Sequence, residues 1–348
     1  MIDFKEAQLT ALVVHKVGNK SRGEGIIASR SLYTLEEETR PVLESYFLNA
    51  FKAEEFFRFS HEASLDLNEM YRYCGNIFQG DDLLIQSVHM LKHLYLQTAH
   101  PNIRQGEMYV ARFSGCRLEG VELDAIGIFK SENKEAFLQF GETSDAVNMR
   151  IEQGVSTKKL DKGCLVFNTY AEDGYSALLV DNVSDEAQYW KDHFLHIERI
   201  QDSSFQTEAY LNLAREFCQE VIAPEADKKD QVLFLNKSLN YFANNESFDP
   251  EAFREEVLEN PEHKAKFDHY RSAYEEEKGL EHEAGFSISR YAVKNQRKHF
   301  RNLIKLDTQI HILLNTRDAS EAAKYLERGF DEEKGMYYYK AYFNGEVD

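Results

Sequence analysis

The sequence predicts an α+β protein, with helices followed by an antiparallel sheet in the N-terminal part, a helical middle unit and a small C-terminal antiparallel sheet. Three observations predict this class. Apolar residues recur at helical spacing over residues 35–98, β-rich runs separated by glycine-containing turns follow, and helical spacing returns at residues 203–279. Because the strands cluster instead of alternating with helices, the pattern favours α+β over a doubly wound α/β fold.

The first element is predicted to be a strand. Residues 9–17 are rich in β-branched and aliphatic side chains and end at a Gly-Asn pair, which is typical of a strand followed by a turn. The helical spacing that follows predicts about three helices up to residue 98, with breaks at Gly75 and Gly80.

After Pro101 the pattern changes to short runs rich in β-branched, aliphatic and aromatic residues. Glycines and an Asp-Gly pair at Asp173 separate these runs, and Asp-Gly is a strong hairpin signal. The sequence therefore predicts an antiparallel sheet here. Its predicted strands are residues 107–113, 123–130, 136–140, 164–170 and 176–180.

The second half begins with helical spacing, and Asp249 and Pro250 are predicted to be the N-cap and the first residue of one helix. Two β hairpins are predicted at the C-terminal end, formed by residues 304–306 with 309–314 and by residues 324–330 with 336–343. We predict two domains: an α+β domain at residues 1–200, and at residues 201–348 a helical unit with C-terminal hairpins and a basic helix.

The composition indicates a folded protein. With 348 residues, 43% hydrophobic and 13% aromatic, the chain can bury a sizeable core. The first residues lack the features of a secretory signal and no apolar stretch is long enough to cross a membrane, so we expect a cytoplasmic protein. Four widely spaced cysteines form no Cys-x-x-Cys pair and are expected to be buried free thiols.

The charge is distributed unevenly along the chain. A net charge of −19 disfavours nucleic acid as a partner unless the contact is local. Residues 246–283 contain thirteen acidic and five basic residues, whereas residues 286–306 contain six basic residues and no acidic one. The six are Arg290, Lys294, Arg297, Lys298, Arg301 and Lys305.

These six cations share one face if their segment is helical, with Val293, Phe300 and Ile304 on an adjacent face suited to packing. Such a helix could dock on the protein and present its cations to a phosphate backbone. Alternatively, the cations pair with the acidic helices just upstream. A third arrangement ends the helix near His299 and makes residues 300–306 a strand, which would separate Arg301 and Lys305 from the others.

Each candidate catalytic or metal-binding motif in the sequence lacks a residue that its chemistry requires. The glycine-containing loop at residues 18–25 has Glu24 where a phosphate-binding loop needs Lys-Ser/Thr after its last glycine, so we expect a flexible or partner-contacting loop. His89 and His93 have the spacing of zinc ligands but lack a general base and a third ligand. In a nuclease of the restriction-enzyme type, Asp124 would need a second carboxylate where Ile128 stands. The sequence predicts no catalytic residue, metal site or cofactor.

Four segments carry a family resemblance: residues 13–19, 56–69, 100–107 and 124–133. Together with the terminal hairpins, they resemble the Bacteroidetes branch of the 37-kilodalton nucleoid-associated protein family, over nearly the whole chain. The resemblance implies a homodimeric protein of the bacterial nucleoid, with no cofactor and no established catalytic residues.

Three hypotheses follow for the function. The first is a nucleoid protein that contacts double-stranded DNA nonspecifically through the six cations. The second is an adaptor whose acidic helical unit binds a basic DNA-handling protein. The third, disfavoured by the missing carboxylate, is a metal-dependent nuclease that uses Asp124.

Overall fold

The computed structural model describes residues 2–52, 55–142, 145–182, 189–280, 285–300, 303–314 and 325–345. Contacts divide the chain into two compact units, Met1–Ile200 and Gln201–Asp348, called unit 1 and unit 2 below. Each unit combines helices with antiparallel strands, so the predicted α+β class is confirmed.

Unit 1 is built on a large antiparallel sheet with strand order β11-β4-β10-β9-β6-β5-β2-β3, and β1 pairs with β5 at the side. Strands β7 and β8 form a separate two-stranded hairpin. The strands are β1 (Ile2–Asp3), β2 (Gln8–Val17), β3 (Ile26–Ile27), β4 (Phe56–Phe59), β5 (Gly106–Leu118), β6 (Val121–Ser131), β7 (Glu135–Glu142), β8 (Val147–Gly154), β9 (Lys162–Phe167), β10 (Ser176–Asp181) and β11 (Ile197–Arg199).

Helices cover both faces of this sheet. The helices of unit 1 are α1 (Arg40–Leu48), α2 (Glu69–Phe78) and α3 (Leu83–Gln97). Neighbouring residues of a strand point to opposite faces, so Ile128 packs in the core with α2 and α3, and Phe129 packs in the core with α1. The Phe129 ring stacks on Phe47 of α1 with centroids 4.3 Å apart. The second half of β6 is therefore buried on both faces, which is why its sequence reads as continuously apolar.

Unit 2 packs its helices around an aromatic core. Phe242 stacks on Phe248 at 5.2 Å between centroids, and Phe217 meets Phe267 edge to face at the same distance. Asp249 caps α6 by accepting a hydrogen bond from Ala252 N at 2.7 Å, and Pro250 begins that helix, as predicted. The helices are α4 (Ser203–Phe217), α5 (Lys228–Asn244), α6 (Pro250–Val257), α7 (Pro261–Lys278) and α8 (Arg290–Gln296).

Three small antiparallel pairs complete the described part of unit 2. The pairs are β12 (Ser247–Phe248) with β13 (Phe286–Ser287), β14 (Leu303–Lys305) with β15 (His311–Leu313), and β16 (Leu326–Asp331) with β17 (Met336–Ala341). The last two are the predicted C-terminal hairpins, although Lys324 at the start of the predicted strand lies outside the described residues.

The order of elements in unit 1 departs from the predicted one. Besides the predicted strand β2, the short strands β1 and β3 precede the first helix. Strand β4 lies within the stretch predicted to be helical, because Phe57 and Phe59 are buried where β4 pairs with β10 and β11. Gly75 does not break a helix but lies inside α2, where a Cβ atom would come within 3.4 Å of the Tyr175 hydroxyl. The strand β8 is not among the predicted strands, and it pairs with β7 in a hairpin outside the main sheet.

Candidate nucleic-acid interface

The cations predicted to contact phosphate lie on three consecutive elements of unit 2. Arg290 and Lys294 are on α8, Arg297 and Lys298 form the following 3₁₀ turn, and Lys305 ends β14. We call these five residues the basic surface. Arg301 lies outside the described residues.

A single helical face for this segment is wrong, because α8 ends at Gln296 and its 3₁₀ continuation at His299. After His299 the chain is no longer helical, and Ile304 pairs with Ile312 in the β14–β15 hairpin. The alternative arrangement, with a helix end near His299 followed by a strand, is the one observed. Lys305 is consequently on a different element from Lys294.

Apolar side chains hold this segment on unit 2. Val293, Phe300 and Ile304 are all buried, as their predicted packing role requires. Ser289 caps α8 by accepting a hydrogen bond from Ala292 N at 3.3 Å. All five cations of the basic surface are exposed, so the segment turns its apolar residues and Gln296 inward and its cations to solvent.

The basic residues within the acidic stretch, residues 246–283, are paired with carboxylates. All five basic residues within residues 246–283 form ion pairs with carboxylates of unit 2. The pairs are Arg254–Asp268, Lys264–Glu255, Lys266–Glu225, Arg271–Glu275 and Lys278–Glu277. These pairs hold the pKa of Glu255 and of Glu225 below its usual value, chiefly through the hydrogen bonds from Lys264 and Lys266.

The basic surface is not part of this pairing. Across the described residues, none of its five cations lies within 4.0 Å of a carboxylate oxygen. Arg290 donates instead to the carbonyl oxygen of Ala243 at the end of α5, which is a neutral acceptor. In the described part of the chain, the pairing of these cations with the upstream acidic helices is absent.

The nuclease hypothesis finds no support in the geometry around Asp124. This carboxylate pairs with Arg112 at 3.1 Å across β5 and β6, and Ile128 is fully buried in the sheet. Over the ranges that the structure describes, no group of three or more His, Cys, Asp or Glu side chains could hold a metal ion. The four cysteines are buried free thiols, and burial raises the pKa of each thiol.

A buried polar cluster at the end of β6 is absent from the predicted site residues. Lys130 Nζ donates to Glu132 Oε1 at 2.6 Å, and the Tyr189 hydroxyl donates to the same oxygen at 2.5 Å. Burial lowers the pKa of Lys130 and raises that of Tyr189. Asp161 accepts from Glu132 N at 2.6 Å and from Asn133 N at 2.9 Å. The spacing of Lys130 and Glu132, two residues apart along an extended chain, was the available signal for this cluster, because it places both side chains on one face.

The histidines of α3 have separate structural roles. His89 stacks on Tyr73 with ring centroids 5.7 Å apart, and the buried His93 hydrogen-bonds through Nε2 to Phe194 O at 3.0 Å. His15 of β2 accepts a hydrogen bond from Ser29 N at Nδ1 (3.1 Å), so its proton lies on Nε2, which donates to Ser87 Oγ at 2.9 Å. Burial lowers the pKa of His15 to about 4.

Acidification should destabilise the protein through His15. Its pKa is lowered in the folded state, so its stabilising contribution is complete above pH ~6.5 and is lost as the pH falls through about 4. A shift of this size is worth up to about 3 kcal/mol of unfolding free energy. Chemical denaturation between pH 7 and pH 4 should therefore show a steeper loss of stability for the wild type than for His15→Gln. The matched variant His61→Gln, at an exposed histidine, should follow the wild type. Parallel curves for His15→Gln and the wild type would contradict this assignment.

The fold and this surface define an α+β protein whose exposed cations, without a carboxylate partner in the part of the chain that the structure describes, contrast with its strongly acidic composition. Of the helices in the described part of the chain, none has both the length and the apolar character that a bilayer crossing needs. The family described as nucleoid-associated protein YejK matches residues 13–335. The chain belongs to this family, which gives it a nucleoid-associated role. No curated protein matches the chain.

Proposed function

We propose that the protein contacts double-stranded DNA nonspecifically through the basic surface and acts at the nucleoid by binding, without catalysis. The observation that carries this proposal is the contrast in ion pairing within unit 2. Each basic residue of the acidic stretch has a carboxylate partner, whereas the basic surface has none among the described residues. Family membership supports the nucleoid as the place of action.

Unpaired exposed cations suit a phosphate backbone. Their charge is not neutralised within 4.0 Å in the described chain, and each phosphate contact releases condensed counterions from DNA. The five cations lie on a helix, a turn and a strand end instead of a single helix face. This arrangement lacks the regular row of side chains that a recognition helix presents to base edges, so it favours backbone contacts with little sequence preference.

The experiment that tests this proposal is a titration of the full chain with two duplexes of equal length and different sequence, over 50–200 mM salt. If all five cations contact phosphate, the logarithm of the association constant should fall with the logarithm of salt with a slope of about −4.5. The two duplexes should bind equally. Negligible binding at the lowest salt would overturn the proposal.

A second candidate function is that of an adaptor for a basic DNA-handling protein. It is favoured by exposed carboxylates on α6 and α7 that form no ion pair within the described ranges, among them Glu251, Glu256 and Glu262. An adaptor of this kind would bind DNA only in the presence of its partner. The same DNA titration therefore separates the two candidates.

We also propose that the protein forms a homodimer through the β7–β8 hairpin. The register places Leu138 opposite Ile151 and Phe140 opposite Met149, so these side chains share one face. With Val147 they are 53–72% exposed. Five large apolar side chains on each of two copies would together bury on the order of 1,000 Å², the lower limit for a specific interface. Among the paired residues of the hairpin this face carries a single charge, Glu142 opposite Val147, so two strongly acidic chains can meet there with little close charge repulsion.

The dimer is tested by light scattering coupled to size-exclusion chromatography. The wild type should have about twice the 40.4 kDa mass of the chain, and Leu138→Asp/Ile151→Asp should have the mass of one chain because it places charges in an apolar contact. Gln139→Asp/Asn148→Asp alters the opposite face of the same hairpin and should remain dimeric. A monomeric wild type, or a dimer in the first variant, would refute this interface.

A further inference from the structure

An open cavity of about 640 Å³ lies in unit 1. It is bounded by the end of β2, the loop after it, the segment leading into β5, the end of β6 and the start of β9. This volume is within the range of pockets that hold small ligands. The charged side chains that line it are Lys16, Arg22, Arg104, Lys134, Lys162, Glu24, Glu107 and Glu132.

The side chains that line this cavity carry a net positive charge, opposite in sign to that of the whole chain. Five cations and three carboxylates line it, although the whole chain carries a net charge of −19. Two of these cations have carboxylate partners: Lys134 pairs with Glu107 at 2.8 Å, and Lys162 with Asp181 at 2.8 Å. The remaining cations, which we call the cavity cations, are Lys16, Arg22 and Arg104.

The cavity cations lack carboxylate partners among the described residues. The Arg22 guanidinium donates to Pro101 O at 2.6 Å, and that of Arg104 to Asn133 Oδ1 at 2.6 Å, so both contact neutral oxygens. These single hydrogen bonds orient each guanidinium and leave most of its five N–H donors for a ligand. All three cavity cations are exposed.

The carboxylates around the cavity are already satisfied. Glu24 accepts a hydrogen bond from Asn19 N at 2.8 Å. The Asn19 side chain is buried, and its amide nitrogen donates to His100 O and Ile103 O. The loop that carries Arg22 and Glu24 is thus fixed against the segment before β5. On the cavity floor, Glu132 is held by Lys130 and by the Tyr189 hydroxyl. Glu107 and Glu132 each have a lysine partner, whereas Glu24 accepts from a neutral backbone N–H and keeps its charge. Among the described lining residues, the three cavity cations therefore outnumber the one carboxylate that has no cation partner.

We propose that this cavity binds a phosphate-bearing ligand through Lys16, Arg22 and Arg104. Three separate cations around one cavity suit a ligand with several negative charges, and the planar guanidinium matches phosphate oxygens in pairs. Among the lining residues the aromatic one is Tyr189, whose ring is buried between Lys130 and Lys162 and is not open to stacking. The site therefore recognises phosphate rather than a base. The phosphate belongs either to a small molecule or to a nucleic-acid backbone.

Calorimetric titration of the full chain with pyrophosphate, and in parallel with a short duplex DNA, tests the proposal. Arg22→Gln/Arg104→Gln should weaken pyrophosphate binding at least about 10-fold, since two charge-assisted contacts are lost. Lys16→Gln should weaken it as well, and this substitution removes no hydrogen bond found in the described structure, so its folding is not at risk. Lys92→Gln/Lys158→Gln, at exposed cations elsewhere in unit 1, should bind pyrophosphate like the wild type.

The duplex arm identifies the source of the phosphate. A loss of DNA affinity in the Arg22/Arg104 variant, comparable to its loss for pyrophosphate, assigns the site to the nucleic-acid backbone. Loss for pyrophosphate alone assigns it to a small phosphorylated molecule. If pyrophosphate does not bind the wild type, or binds all variants equally, the proposal is overturned. Substitutions on the basic surface should not alter pyrophosphate binding, so this site and the DNA contact of unit 2 can fail independently.

Discussion

Replacing Lys294, Arg297 and Lys298 together by glutamine should weaken duplex DNA binding about 100-fold at low salt. Each substitution removes an exposed cation that no carboxylate neutralises in the described structure, and a phosphate contact of this kind contributes about 1 kcal/mol. The salt slope should become shallower by up to about 2.7, because about 0.9 is lost per phosphate contact. Fluorescence anisotropy with a labelled duplex over 50–200 mM salt measures both quantities.

The matched control removes the same number of charges from unit 1. Lys5, Lys92 and Lys158 are exposed, and their replacement by glutamine changes the net charge by the same amount. This control variant should keep nearly the affinity and the salt slope of the wild type. Equal losses in both variants would mean that DNA responds to the net charge of the chain, and the basic surface would then have no special role.

Glu132→Gln should lower the free energy of unfolding by about 3–5 kcal/mol at neutral pH. The Lys130 side chain is fully buried and that of Glu132 is 3% exposed, so the substitution leaves a buried ammonium without its counterion. The hydrogen bonds from Lys130 to Arg104 O and to the Tyr189 hydroxyl supply only neutral partners. Chemical denaturation measures the loss.

Two comparisons isolate the buried charge as the cause. Glu198→Gln breaks the half-exposed Arg58–Glu198 pair and should cost less than about 1 kcal/mol. Lys130→Met/Glu132→Gln removes both charges and should regain much of the stability lost in Glu132→Gln. A double variant no more stable than the single one would argue against an uncompensated ammonium.

The pH dependence of Glu132→Gln gives a further check on the same cluster. Burial lowers the pKa of Lys130 and Glu132 raises it, so the variant should have a still lower pKa at Lys130. A lysine with a lowered pKa in the folded state binds fewer protons there than in the unfolded chain, so stability rises with pH. The difference in unfolding free energy between the variant and the wild type should therefore shrink from pH 7 towards pH 9.5.

The predictable part of the fold consists of elements with strong local signals. The strand β2, the hairpin strands after Pro101 and the cap of α6 at Asp249 all follow from side-chain pattern and turn chemistry. The strand β4 could not be predicted from its own four residues. They form a strand because they pair with β10 and β11, which lie more than 100 residues away in the sequence. Gly75 is predicted to break a helix, but α2 continues through it because Cys74 and Ile77 of the same helix are buried in the core.

The candidate interface was predicted from charge alone, by the change of sign between residues 246–283 and residues 286–306. Sequence spacing could not decide how the cations are arranged, because the helix ends where Ile304 finds a strand partner. It also could not decide which carboxylates pair with which cations, since ion pairs such as Arg254–Asp268 depend on how two helices pack. The DNA-binding role of these residues stays a prediction.

By itself, the sequence determined the α+β class, the buried thiols and the positions of the cations, because composition and short-range periodicity are local properties of the chain. Only the tertiary structure decided that the basic surface is unpaired among the described residues, and that Lys16, Arg22 and Arg104 share one cavity. It also decided that Lys130 and Glu132 are buried together. These outcomes depend on contacts between residues distant in sequence, and a single sequence read residue by residue does not contain the distances between them.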